Sequence, residues 1–168
     1  RKSHREFDRG RSVFFYNDKM RQSLLRYKYY GNRDYAKYYA VSLCHYMERE
    51  IRMWKPDLIV PVPMHPRKQR ERGFNQAADL AEKAGEILKI PMSDQVVKKT
   101  KATRSQKKLN AAERKQNLRM VFQATERLDG LRILVIDDVY TTGSTIEAMA
   151  HVLKAAGADK VFFVTLCT

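Results

Sequence analysis

The stretch Ile133-Leu134-Val135-Ile136-Asp137-Asp138-Val139-Tyr140-Thr141-Thr142-Gly143-Ser144-Thr145 decides the fold. Arg132–Ile136 is a short apolar run, the pattern of a strand buried on both faces. Ile146, Met149, Ala150 and Leu153 then recur at helical spacing up to a stop at Gly157, so 137–144 reads as a polar turn from strand to helix. Ligands of open α/β sheets bind beyond the carboxyl ends of the strands, where this turn lies. Thr141, Thr142, Gly143, Ser144 and Thr145 are small enough for backbone N–H groups to converge on an anion. Their hydroxyls add donors, and the helix that follows presents its positive end. A phosphate monoester fits such a cradle. Asp137 and Asp138 would repel phosphate and suit neutral hydroxyls, which a ribose bearing a 5′-phosphate supplies.

Other uses of the stretch fit less well. No Lys follows the glycine as a P-loop requires. A phosphate-receiving signalling domain would place an Asp at a strand end without needing the hydroxyl-rich turn after it. An ordinary helix cap explains one hydroxyl, not four beside two carboxylates.

Working outward, Val161–Leu166 reads as another buried strand, and Asp57–Val62 as a third. Ala36, Ala40, Leu43, Met47, Ile51 and Trp54 predict a long amphipathic helix ending before Pro56. Phe74, Ala77, Ala81, Ala84 and Leu88 predict another, ending near Ile90-Pro91. The segment 63–73 between them reads as a basic, proline-rich loop, and Val96-Val97 as a short strand. Residues 1–12 read as a basic arm, Val13–Tyr16 as a strand and Asn17-Asp18 as a turn, while 19–30 fits helix and strand equally. Tyr27, Tyr29, Tyr30, Tyr35, Tyr38 and Tyr39 are expected to pack in core and interface. Residues 98–119 hold nine Lys or Arg against one acid, Glu113, and read as a long mobile segment. Strands alternating with helices predict one α/β domain over 1–168, a central parallel sheet with helices on both faces.

Composition bounds the function. A chain of 168 residues, 43% apolar and 31% charged, holds one proper core and is not disordered. No apolar run approaches the ~18 residues of a membrane span, and no secretory signal opens the chain, so a cytoplasmic setting is expected. Cys44 and Cys167 are too few for a disulfide framework, lack Cys-x-x-Cys spacing for zinc, and fit buried thiols. The net charge of +14 attracts polyanions or merely keeps the domain soluble; composition leaves both readings open.

The thirteen quoted residues resemble the ribose-phosphate motif of type I phosphoribosyltransferases, with the aromatic Tyr140 where an aliphatic residue is usual. Val60-Pro61-Val62-Pro63-Met64-His65-Pro66 and Arg70-x-Arg72-Gly73-Phe74-Asn75-Gln76 narrow the resemblance to the ComF family of competence-associated proteins. Thr103, Gln106, Leu109, Arg114, Asn117 and Phe122 fit the same family. The likeness covers about 13–168 and implies a type I phosphoribosyltransferase fold with a small N-terminal hood within 1–56. Members often carry an N-terminal zinc ribbon, absent here; the opening Arg1-Lys2-Ser3-His4, without Met, suggests a fragment or a processed chain.

That resemblance implies a ligand, phosphoribosyl pyrophosphate or another ribose 5-phosphate, handled with Mg²⁺ held through substrate and water near Asp137 and Asp138. The two aspartates would orient the sugar, and Thr141–Thr145 would hold its 5′-phosphate. Arg67, Lys68, Arg70 and Arg72 would neutralise the pyrophosphate, with Arg able to chelate it in a fork. Arg104, Lys107 and Lys108 would belong to a flexible loop closing over the site, and His65 would be a loop hydrogen-bonder. A role in DNA uptake follows by resemblance, with phosphoribose transfer to an acceptor that no residue identifies. The alternative is a non-catalytic module binding single-stranded DNA or a competence helicase.

Overall fold

The computed structural model describes residues 5–30, 33–100 and 121–168. In chain order the elements are β1 (Arg9–Phe14), α1 (Asp18–Tyr29), α2 (Asp34–Trp54), β2 (Leu58–Pro61), α3 (Pro66–Arg72) and α4 (Gln76–Leu88). They continue with β3 (Val97–Lys99), β4 (Phe122–Ala124), β5 (Arg132–Val139), α5 (Ser144–Ala155) and β6 (Lys160–Cys167). Four strands form one parallel sheet in the order β1-β6-β5-β2, and β3 and β4 pair antiparallel beside it.

The pleat of the inner strands divides the core in two. On β5, Leu134 and Ile136 join Phe162, Val164 and Leu166 of β6 under α2 and α4. The alternate residues Ile133, Val135, Val161 and Phe163 face α5 with its Ile146, Met149 and Leu153. A strand buried on both faces has no polar positions to spare, which is why these stretches read as continuous apolar runs. Helices therefore cover both faces, as the α/β reading predicts.

Four stretches depart from the sequence reading, the shortest being Lys98 and Lys99, read as the start of a mobile segment but paired in β3 with Gln123 and Phe122. Residues 9–14 are an edge strand rather than an arm, and β1 starts four residues ahead of the expected Val13. Gly10 lies opposite Phe163 and admits its ring, while Phe7 packs edge-on against that ring at 4.9 Å. Asp8 ties the same segment down, accepting from Val161 N at 2.9 Å and pairing with Lys154 and Lys160. Residues 66–72, read as loop, form α3: Pro66 opens it, His65 caps it through Nδ1, and Gly73 ends it at φ +89°. Strand β5 runs on through Val139, because Asp137 and Val139 still pair with Thr165 and Cys167. Asp137 and Asp138 thus sit in the strand's last turn of pleat, not in a turn.

The ambiguous 19–30 stretch is the helix α1, capped by Asn17 Oδ1 accepting from Met20 N at 2.9 Å. Its last turn reaches the carboxyl end of β5, where Lys28 pairs with Asp138. The tyrosines divide. Tyr27 and Tyr39 are buried as expected, whereas Tyr29, Tyr30 and Tyr38 are exposed.

Candidate functional site

The carboxyl end of β5 brings the quoted residues together. Asp138 is buried, and its Oδ1 accepts from Val139 N at 3.0 Å. Asp137, half-buried, turns Oδ1 back to accept from Asp138 N at 2.9 Å. Burial opposes charge on Asp138, but the Lys28 ammonium of α1 outweighs it and holds that carboxyl below the usual range. Asp137 is pushed well above the usual range by burial and by the charge of Asp138. Two adjacent carboxyls at a strand's end cannot both ionise cheaply, so the negative charge of the pair is drawn toward Asp138.

Beyond them the chain bends at Gly143 (φ +80°) into α5. A Cβ on Gly143 would lie 2.4 Å from the Tyr140 hydroxyl, whose ring stacks on Phe163 at 5.0 Å. Tyr140 therefore roofs the glycine, which accounts for an aromatic residue in this place. The cap residue Gly143 has no side chain to offer, and the Thr142 hydroxyl accepts from the Ser144 amide at 3.4 Å. Among the described residues no acceptor faces the amides of Gly143, Thr145 and Ile146. Thr142 and Ser144 join their hydroxyls at 2.8 Å, and Thr141, Thr142 and Ser144 are exposed. These donors cluster at a helix N-terminus, an arrangement suited to a phosphate.

The cations of α3 divide by helical geometry. Lys68 and Arg72, four apart, share a side, and Arg67 and Arg70 point elsewhere and are exposed. Arg72 donates to Gln76 Oε1 at 2.5 Å and to the Tyr29 hydroxyl at 3.3 Å, while its Nε is buried with no partner among the described residues. His65 Nδ1 accepts from Arg67 N at 3.2 Å, a cap and not a base. Arg104, Lys107 and Lys108, with Thr103, Gln106, Leu109, Arg114 and Asn117, lie outside the described residues.

Two site residues escaped the sequence reading. Lys28 lies in the helix whose type the pattern left open, and only the fold brings it to Asp138. Lys99, at the end of β3, lines a cleft of about 200 Å³ with Pro61, Pro63, Gln69 and Asn75. Burial and the nearby Lys68 ammonium lower its proton affinity, and the charge of Asp137 partly restores it. It belonged to the basic 98–119 run, but nothing in that run distinguishes it.

The sequence pattern of the phosphoribosyl transferase domain matches residues 44–168. The chain belongs to that family. Its relatives include Competence protein F of Haemophilus influenzae, 35% identical over 109 residues, covering 63% of this chain and 48% of that protein. Competence protein ComFC of Streptococcus pneumoniae is 32% identical over 151 residues, covering 90% of this chain and 64% of that protein. These relatives bear out the ComF resemblance. The chain spans about half the length of the first curated relatives it matches. Among solved structures, the allosteric regulatory enzyme of purine biosynthesis superposes with a TM-score of 0.56 at 20% identity, over 84% of this chain and 29% of that one. The likeness shows the fold.

Among the described residues no group of three or more His, Cys, Asp or Glu could hold a resident ion, and Asp138 is already paired. Nor is any helix among the described residues long and apolar enough to cross a membrane.

Proposed function

We propose that this phosphoribosyl transferase domain binds phosphoribosyl pyrophosphate with Mg²⁺ in the cytoplasm, and serves DNA uptake by transferring phosphoribose to an acceptor. One observation carries the reading: a hydroxyl- and amide-lined bend at the end of β5, directly after a carboxyl pair whose Asp138 is held by the Lys28 ammonium. The amides of Gly143, Thr145 and Ile146 and the hydroxyls of Thr141, Thr142 and Ser144 hold the 5′-phosphate. Asp138 accepts from one ribose hydroxyl, and Asp137 engages the other. Lys68 and Lys99, close enough to feel each other's charge, and Arg72 on the same side of α3 as Lys68 are the cations assigned to the leaving diphosphate, whose growing charge they would stabilise. Magnesium, when bound, screens the diphosphate oxygens. In transfer, the C1–O bond to diphosphate breaks with its electron pair going to the diphosphate. A nucleophile's lone pair forms the new bond to C1, and its proton leaves to solvent. The role in DNA uptake rests on the competence-named relatives.

Calorimetric titration of phosphoribosyl pyrophosphate with Mg²⁺ tests the binding. We expect micromolar affinity, about −8 kcal/mol, largely lost in Asp137→Asn/Asp138→Asn protein that still melts cooperatively. Equal binding by the double variant rejects the site. Absence of pyrophosphate release with every acceptor tried would remove transfer and leave binding.

A second reading, a non-catalytic module for single-stranded DNA or a competence helicase, draws on the net charge of +14. Binding of labelled single strands that weakens steeply with salt supports it, and no binding at low ionic strength removes its DNA form.

A further inference from the structure

The last turn of α1 meets the site at three successive residues. Fully buried Tyr27 donates its hydroxyl proton to the carbonyl of Gln76 at 2.8 Å. Lys28 pairs with Asp138 Oδ2. Tyr29 lies beneath the Arg72 guanidinium, whose carbon is 5.0 Å from the ring centroid. Successive helical residues point about 100° apart, so all three find partners only because the helix end is set into the corner between α3, α4 and β5. Gln76 closes the circuit: its Oε1 accepts from Arg72, and its Nε2 reaches Asp138 Oδ2 at 3.5 Å.

Asp138 is therefore held from every side. Oδ1 takes the Val139 amide, while Oδ2 takes Lys28 and, more weakly, Gln76. A carboxylate has about four lone-pair directions, and these contacts occupy three of them. The Asp137 side chain is the fourth hydrogen-bonding neighbour, and it is the one that a sugar hydroxyl replaces, since Lys28, Gln76 and the Val139 amide are fixed by the fold. Neither Arg72 nor Gln76 can stand in for Lys28: Arg72 is committed to Gln76 and Tyr29, and Gln76 carries no charge.

We infer that Lys28 is a positioning residue that makes this site select a ribose phosphate over a deoxyribose phosphate, by locking Asp138 as a charged acceptor for one sugar hydroxyl. The inference rests on the ribose-phosphate reading of the site. A hydrogen bond to a charged acceptor is strong, and a site built around it rejects the analogue lacking that hydroxyl, because a buried lone pair is then left unmatched. Without Lys28 the Asp138 charge is uncompensated inside the protein. The carboxyl then takes up a proton or turns to water, and the sugar loses its partner in both cases.

The test measures affinities of ribose 5-phosphate and its 2-deoxy and 3-deoxy analogues for the wild type, Lys28→Met and Lys28→Arg, with thermal melts of each. The wild type should prefer ribose 5-phosphate over at least one deoxy analogue by about tenfold or more. Lys28→Met should lose about tenfold for ribose 5-phosphate and little for that analogue, so that the preference collapses, while Lys28→Arg keeps most of it. An unchanged preference in Lys28→Met, tighter binding of all three sugars, or a uniform loss tracking a lower melting temperature would each overturn the inference and leave the site standing. A wild type that binds none of the three sugars sinks both.

Discussion

Gly143 is the residue on which the phosphate cradle turns. Its φ of +80° is strained for any side chain, and a Cβ would also strike the Tyr140 hydroxyl. The first effect amounts to about 1–2 kcal/mol, and the second to about 1–3 kcal/mol if the ring must shift. Gly143→Ala should therefore melt lower and bind ribose 5-phosphate at least tenfold more weakly, about 1.4 kcal/mol. Adding Tyr140→Val relieves the clash alone, so the double variant should recover stability in part and affinity hardly at all. Full recovery of both would mean that the backbone angle is unimportant. The glycine, the hydroxyls and the aspartates were legible because each residue type has few other reasons to stand at a strand's end. Lys28 and Lys99 were not, since a cation on a helix or a short strand looks the same whether it meets solvent or a carboxylate.

Among the elements, the ones read correctly carry their evidence locally. Helix α2 buries Ala36, Ala40, Leu43, Met47, Ile51 and Trp54, the residues whose spacing predicts it. Strand β1 carries no such pattern: Arg9, Gly10, Arg11 and Ser12 are polar or small because an edge strand buries little, and its partner lies at the other end of the chain. Helix α3 escaped notice because all its residues are exposed except half-buried Arg72, leaving no apolar periodicity to find. The edge pairing makes its own prediction. The Phe163 ring covers Gly10, where a Cβ would lie 2.1 Å from the ring carbons. Gly10→Val should lower stability by about 1–3 kcal/mol through overpacking, despite the better strand propensity of valine. Denaturant titration checks it, and a more stable variant would show that β1 is not seated on that ring.

The molecule as a whole keeps several acidic groups neutral inside it. Burial pushes the Cys44 and Cys167 thiols up to about 11, and lifts Tyr27 and Tyr39 above the ordinary phenol value. The folded state holds these protons after the unfolded chain has released them, so stability is intact below pH 9 and falls as pH rises toward 11. Each thiol contributes a loss on the order of 2 kcal/mol across that window. Melting temperature should decline from pH 9 upward, and Tyr27→Phe, starting lower for want of its bond to Gln76, should decline less above pH 10. A flat profile would place these groups in contact with water. The global arrangement was readable because strand and helix signals alternate along the chain, whereas strand order was not, since it depends on pairings that no local pattern encodes.

Strand β6 lies between β1 and β5, with 153 residues separating Asp8 from the Val161 amide that it binds. During synthesis β1 stays single until β6, far along the chain, has emerged. Until then its exposed peptide groups invite pairing with other chains, and the arginines and glycine of that strand make such pairing unrewarding.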